Sequence, residues 1–271
     1  MSGEIVNILL NQINVHEEKE KNLEKVLGII DKHDSDLIIF PEYTMGVPKG
    51  KLTKEYVWKN AEPLDGEFIT RIIDKSEEKG DAIIFTAYLK EDLRVYNAAI
   101  FADRGRILGV YKKIHLFDAF GFRESEIFSH GSELTLLTYK QFKIGLAVCF
   151  DIRFPEIFRA MMYENVDIII VPAAWYRGKY KILQWYSLAL SRAHENNAYV
   201  IMVNQTGEKF TGHSLVASPL GYILLDLGEE EKSVSFELSS EEISISRKTL
   251  PMKQLSKRDL YISFYRKNPK S

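Results

Sequence analysis

"FKIGLAVCFDIRFPE", residues 142–156, runs from an apolar stretch through the only cysteine of the chain into a Phe-Pro-Glu. The apolar half reads as a buried strand. Pro155 suits the first position of a helix, where a missing N–H leaves no bond unmade. A strand that turns straight into a helix is a building unit of α/β proteins. Taken alone, a free cysteine is a small buried hydrophobe. At a strand-to-helix turn it has a second reading. The turn lifts the side chain off the sheet beside backbone N–H groups free to hold an oxyanion, and the helix start favours a thiolate.

The same alternation continues in both directions. Upstream, "IVNILLNQINV" (5–15) predicts a strand and residues 17–32 a helix, with Leu23, Val26, Leu27 and Ile30 on one face. "DLIIF" (36–40) predicts a short strand covered on both sides. A helix over 66–79 and a strand in "DAIIFTAYL" (81–89) follow. "VYNAAIFAD" (95–103) and "RILGVYKKI" (106–114) meet at Arg104-Gly105 as a hairpin, and 117–133 reads as a polar, aromatic loop. "LTLLTY" (134–139) pairs with the strand before Cys149. Downstream come a strand in "VDIIIVPAA" (166–174), a helix over 180–197 and a strand in "AYVIMVNQT" (198–206). "HSLVASPLGYILLDL" (213–227) is a hairpin turning at Ser218–Gly221. No repeat or low-complexity linker divides the chain, so residues 1–271 are expected to form a single domain, with 239–271 a charged C-terminal tail. An early β-α-β-α order that gives way to paired strands predicts two mixed sheets, face to face, with helices outside.

Composition narrows the function. With 45% hydrophobic and 27% charged residues, 271 residues suffice for a core without disulfides or metal. A formal net charge of −2 leaves no basic excess for nucleic acid. No apolar run approaches a membrane span, and "MSGEIVNILL" lacks the basic start of a secretory signal. A lone cysteine cannot close an intramolecular disulfide, so a cytoplasmic location is expected. No group of His, Cys and carboxylate has metal-ligand spacing, and no cofactor is implied.

A nucleophilic thiol needs a base and an oxyanion-stabilising group. Glu42 follows the strand in "LIIFPEY", and Lys113 ends the strand in "GVYKKIHLF". Each has a plain reading as a solvated charge. Open α/β sheets, however, gather their sites at the carboxyl ends of strands. "FPEY" with Glu42, "YKKIHLF" with Lys113, "FRES" with Glu124 and "AVCFDIRFPE" with Cys149, in this order and spacing, resemble the nitrilase superfamily of carbon–nitrogen hydrolases. "VPAAW" (171–175), "GHSLVASPLG" (212–221) and "KRDLY" (257–261) resemble further family blocks, so the likeness spans nearly the whole chain. The family often has Arg where this chain has Lys112 and Tyr where it has Phe150, neither of them a catalytic side chain.

The resemblance implies a four-layer α-β-β-α sandwich and a cysteine-dependent hydrolase of non-peptide C–N bonds, cleaving a small amide such as an ω-amide of a dicarboxylic acid. It implies Glu42 as general base, Cys149 as nucleophile, Lys113 and the backbone N–H of Phe150 as oxyanion holders, and Glu124 as a residue that holds the site together. It also implies a homodimer with the tail at the interface. Burial should raise the Glu42 pKa and Lys113 lower that of the thiol, bringing the pair together. Tyr43 and Trp175 are expected to line the pocket. In the basic loop 175–181, Arg177, and after it Lys179 or Lys181, is a candidate for a substrate carboxylate. Alternatives are an N-carbamoyl hydrolase or nitrilase, an acyltransferase, a redox sensor, and a Cys–His pair using His115, His194 or His213.

Overall fold

The computed structural model describes residues 3–267; the last four positions of the expected tail lie outside the described residues. Two six-stranded sheets face each other, with helices on both outer surfaces: an α-β-β-α sandwich. The first sheet holds β1 (Ile5–Gln12), β2 (Leu37–Ile39), β3 (Ala82–Glu91), β4 (Arg94–Asp103) and β5 (Arg106–Lys112). The second holds β8 (Thr135–Tyr139), β9 (Phe142–Leu146), β10 (Ile168–Ala173), β11 (Tyr199–Asn204), β12 (Leu215–Ala217) and β13 (Ile223–Asp226). A short hairpin, β6 (Asp118–Ala119) and β7 (Phe122–Arg123), stands between them in sequence, inside the segment expected to be a loop. The strand β14 (Lys232–Ser239) crosses back to pair antiparallel with β1, completing the first sheet in the order β14-β1-β2-β3-β4-β5.

Both sheets are mixed, as expected. In each, three neighbouring strands run parallel, β1-β2-β3 and β9-β10-β11, and antiparallel strands flank them. Alternation along β1 and β2 shows why the layers form. Ile8, Leu10, Leu37 and Ile39 point between the sheets, while Leu9 and Ile38 point to the helices. On that outer side Val26 and Ile30 of α1 (Lys19–Lys32) are buried. Phe68, Ile69 and Ile72 join them from α3 (Glu67–Lys79), which follows the short α2 (Lys54–Asn60). Each such side chain contributes about 1.5–3 kcal/mol by leaving water. On the far side, α4 (Pro155–Tyr163) and α5 (Lys181–Asn196) cover the second sheet with Phe158, Met161, Trp185 and Ala189. Three helices end the described chain: α6 (Ser240–Thr249), α7 (Met252–Leu255) and α8 (Arg258–Lys267).

Parallel β2, β9 and β10 all end toward one edge of the sandwich. There Glu42 N–H donates to Ala173 O at 3.2 Å, and Gln205 Nε2 donates to Glu42 O at 2.6 Å. These bonds lock the end of the first sheet to the end of the second. The functional residues gather at this seam.

Candidate active site

Four local structures deliver the four expected residues. Glu42 follows β2 and lies 1% exposed. Lys113 follows β5, its N–H bonded to Asn97 O at 2.9 Å across the β4–β5 ladder. Glu124 opens a 3-10 turn after β7 and is fully buried. Cys149 comes three residues after β9, as the first residue of a second 3-10 turn, Cys149–Arg153, with φ +44°. A non-glycine residue in that region stores strain, which is common where a nucleophile is held up for attack.

Asp151 holds this turn in place. Its carboxylate accepts from Val148 N at 2.9 Å, Tyr111 OH at 2.8 Å and His115 N at 2.9 Å, and lies 2.8 Å from His115 Nδ1. The His115 ring stacks on Phe154, centroids 3.7 Å apart. The imidazole thus belongs to the scaffold of the elbow. His213 is engaged with Tyr186 and Asp226, and His194 reaches the Pro219 carbonyl. None of the three lines the cavity at Cys149.

Lys113 Nζ sits 2.8 Å from Glu42 Oε1 and 2.8 Å from Glu124 Oε2, with all three side chains at most 1% exposed. Asn97 Nδ2 donates to both carboxylates, at 2.7 Å to Glu42 and 3.1 Å to Glu124. Glu42 Oε2 accepts the Ala174 N–H at 2.9 Å. Glu124 also accepts Tyr43 OH at 3.1 Å and the Phe117 N–H at 2.6 Å. Three buried charges are tolerable here because donors fill the remaining lone pairs.

Burial pushes the Glu42 carboxyl up from its ordinary value; Lys113 opposes this and Glu124 adds to it. Burial works against the Lys113 ammonium, but Glu124 and Glu42 outweigh it and hold its pKa above the usual lysine value. The Cys149 thiol is pushed well up, first by burial and then by Glu42, against the opposing pull of Lys113. The expected depression of the thiol by Lys113 is therefore present but outweighed by burial and by the Glu42 carboxylate. With its pKa held up in this way, the resting thiol is neutral and has the Glu42 carboxyl beside it.

A narrow cavity of about 30 Å³ opens at Cys149 and Lys113. Tyr43, Phe117, Phe122, Phe150, Trp175 and Tyr176 wall it, and Arg153 and Lys181 reach it half-buried. Tyr43 and Trp175 line the pocket as expected. Among the described residues no protein acceptor takes the Phe150 N–H. Arg177 is elsewhere. Its chain segment pairs with Lys209–Phe210, and the guanidinium bonds Glu229 at 2.8 Å and the Gly207 carbonyl at 3.1 Å, so Arg177 does not reach the cavity. Sequence reasoning also passed over Asn97 and Arg153. Asn97 could have been found by register, because it stands opposite Lys113 on the neighbouring strand; Arg153 lies four residues past Cys149 in the same turn.

The model of the carbon-nitrogen hydrolase family matches residues 8–245. This chain belongs to that family. Among curated relatives, the deaminated glutathione amidase of Escherichia coli O157:H7 is 29% identical over 86% of this chain and 90% of its own. The omega-amidase NIT2 of Xenopus tropicalis is 27% identical over 96% of this chain and 98% of its own. Among solved structures, XC1258 from Xanthomonas campestris, a CN-hydrolase superfamily protein with an arsenic adduct in its active site, aligns with a TM-score of 0.85. It is 25% identical and covers 93% of this chain and 97% of that one. The family makes the chain a hydrolase of carbon–nitrogen bonds other than peptide bonds, of the amidase type.

Proposed function

We propose that this hydrolase cleaves small amides, among them ω-amides of dicarboxylic acids, to acid and ammonia through a thioester on Cys149. Glu42 takes the thiol proton as sulfur attacks the carbonyl carbon. Lys113 and the Phe150 N–H hold the oxyanion. Glu42 returns the proton to the departing nitrogen, ammonia leaves, and the acyl group stays on sulfur. Water, losing a proton to Glu42, then attacks the thioester; the acid departs and the thiol is restored. Glu124 keeps Lys113 charged and aimed. A thiol and carboxyl both raised by burial suit this scheme, since the proton moves between them during attack and no free thiolate is required.

The observation that carries the reading is the Lys113 ammonium bracketed at 2.8 Å by two buried carboxylates beside a cysteine held at positive φ. A redox sensor needs none of that apparatus. The test is ammonia release from a panel of short amides, with hydroxylamine added to intercept the acyl-enzyme as a hydroxamate. Wild-type protein should yield both products and Cys149→Ala neither; a panel with no turnover overturns the reading.

A cytoplasmic home fits a chain whose single thiol must stay reduced, and no described helix is long and apolar enough to cross a membrane. A homodimer is also proposed for the single hydrolase domain. α8 presents Leu260, Tyr261, Ile262, Phe264 and Tyr265 to solvent, more apolar surface than an isolated terminal helix needs. Sedimentation of the protein with and without its last fifteen residues tests this: loss of the dimer on deletion supports it, and an unchanged mass contradicts it.

A further inference from the structure

One aromatic wall of the catalytic cavity has open space behind it. The cavity at Cys149, about 30 Å³, has room for about two waters. A groove of about 910 Å³ lies alongside, between the β6–β7 hairpin and residues 51–54 at the start of α2. Of the residues that line the two spaces, Phe122 alone is shared. Two of the groove's own residues, Leu52 and Ile127, are buried and give it an apolar floor. The exposed Lys51, Lys54, Asp118, Arg123 and Glu126 form its rim.

The hairpin fixes where that half-buried ring stands. Its two-residue turn, Phe120-Gly121, has φ +54° and +77°, the left-handed pair that matches the twist of a tight hairpin. Alternation along β7 sends Phe122 inward and Arg123 outward, where Arg123 pairs with Glu126 at 3.6 Å. At the root of the hairpin, the Phe117 N–H donates to Glu124 at 2.6 Å. Asp118 accepts the Ser125 N–H at 3.0 Å and the Ser125 hydroxyl at 2.6 Å. The Phe117 ring stands beside that of Phe122, centroids 6.1 Å apart. The segment that delivers Glu124 to Lys113 thus also sets Phe122, two residues earlier, against the cavity.

We propose that Phe122 sets the upper size of the amide. Its ring closes the catalytic cavity against the groove, and a smaller side chain there lets an apolar chain on the amide run out along Leu52 and Ile127. Each methylene that leaves water favours the longer chain about fourfold, so three of them amount to well over tenfold. For its substrates this assignment rests on the amidase reading; the wall itself is a matter of access to Cys149.

Alkylation of the single cysteine tests the wall without any turnover. Labelling of Cys149 by N-hexyl iodoacetamide and by iodoacetamide is followed by intact mass, each rate taken relative to free cysteine. The long reagent should be at least tenfold slower than the short one in wild-type protein. The long-to-short ratio should rise at least tenfold in Phe122→Ala and by an intermediate amount in the milder Phe122→Leu. Phe120→Ala alters the hairpin tip without touching a wall of the cavity, and should leave the ratio unchanged. For hydrolysis, the ratio of kcat/KM for hexanamide over propionamide should rise at least tenfold in Phe122→Ala. A rise in either ratio that is confined to residue 122 upholds the wall. No rise in either, or the same rise in Phe120→Ala, overturns it, while propionamide turnover still upholds the hydrolase. A rise in the labelling ratio alone, in a protein that hydrolyses neither amide, upholds the wall and overturns the hydrolase.

Discussion

Glu42 has to be a proton acceptor first and a proton donor later, and its surroundings are balanced for that. Burial raises its pKa, and Lys113 keeps the rise in check. As pH increases, Glu42 loses its proton and becomes the base, so kcat/KM should climb along a limb lying above the ordinary carboxylate value of about 4.3. The thiol is held well above its ordinary value of about 8.5, so no second rise from thiolate formation should appear near that pH. A pH profile between 4 and 9 checks both signs. Asn97 offers a second handle, since its one amide nitrogen serves Glu42 and Glu124 together. Asn97→Leu removes a donor that favours the charged carboxylate, which raises the Glu42 pKa further. The acid limb should move to higher pH and kcat/KM fall by about 10- to 100-fold, a magnitude expected when a positioned charge network is loosened.

Among the elements, the segment after the β6–β7 hairpin has a tight backbone contact that fixes Lys113. Gly131 N–H donates to Lys113 O at 2.8 Å, and a Cβ at residue 131 would overlap the Lys112 carbonyl oxygen. Backbone cannot swing aside as a flexible side chain can. Gly131→Ala should therefore displace Lys113 from its two carboxylates and lower kcat/KM more than tenfold, with about 1–3 kcal/mol lost in urea unfolding. Wild-type activity in that variant would show that Lys113 is held by its ion pairs alone. The same scale explains what could be read in advance. Glu42, Lys113 and Cys149 were legible because each ends or follows a strand in a recognisable motif, and Glu124 by its motif alone, inside a segment that reads as a loop. Asn97 and Asp151 were not, because their importance comes from what they touch across a ladder or a turn. Arg177 looked suitable from charge and position alone, yet local pairing with Lys209–Phe210 carries it off to Glu229.

For the whole molecule, the paired mixed sheets and outer helices followed from alternating element types and from strands apolar on both faces. The return of β14 to the first sheet did not. "KSVSFELS" alternates apolar and polar residues as an edge strand does, but nothing local says it must travel back to β1. That crossing has a consequence: Leu238 is buried between the sheets and β14 covers the open edge of β1. Ending the chain before residue 232 should leave insoluble or unfolded protein, whereas ending it after Ser256 should leave a soluble protein that still melts cooperatively. Soluble, folded protein from the shorter form would mean that the seam between the sheets does not depend on β14.

Turnover by the Glu42→Gln variant probes the site most directly. Glutamine keeps the shape and can still accept hydrogen bonds, yet it cannot take the thiol proton. Ammonia release from succinamate by the folded variant should fall by at least about a thousandfold, near the upper part of what a general base contributes. A folded Glu42→Gln protein within tenfold of wild type would contradict the account.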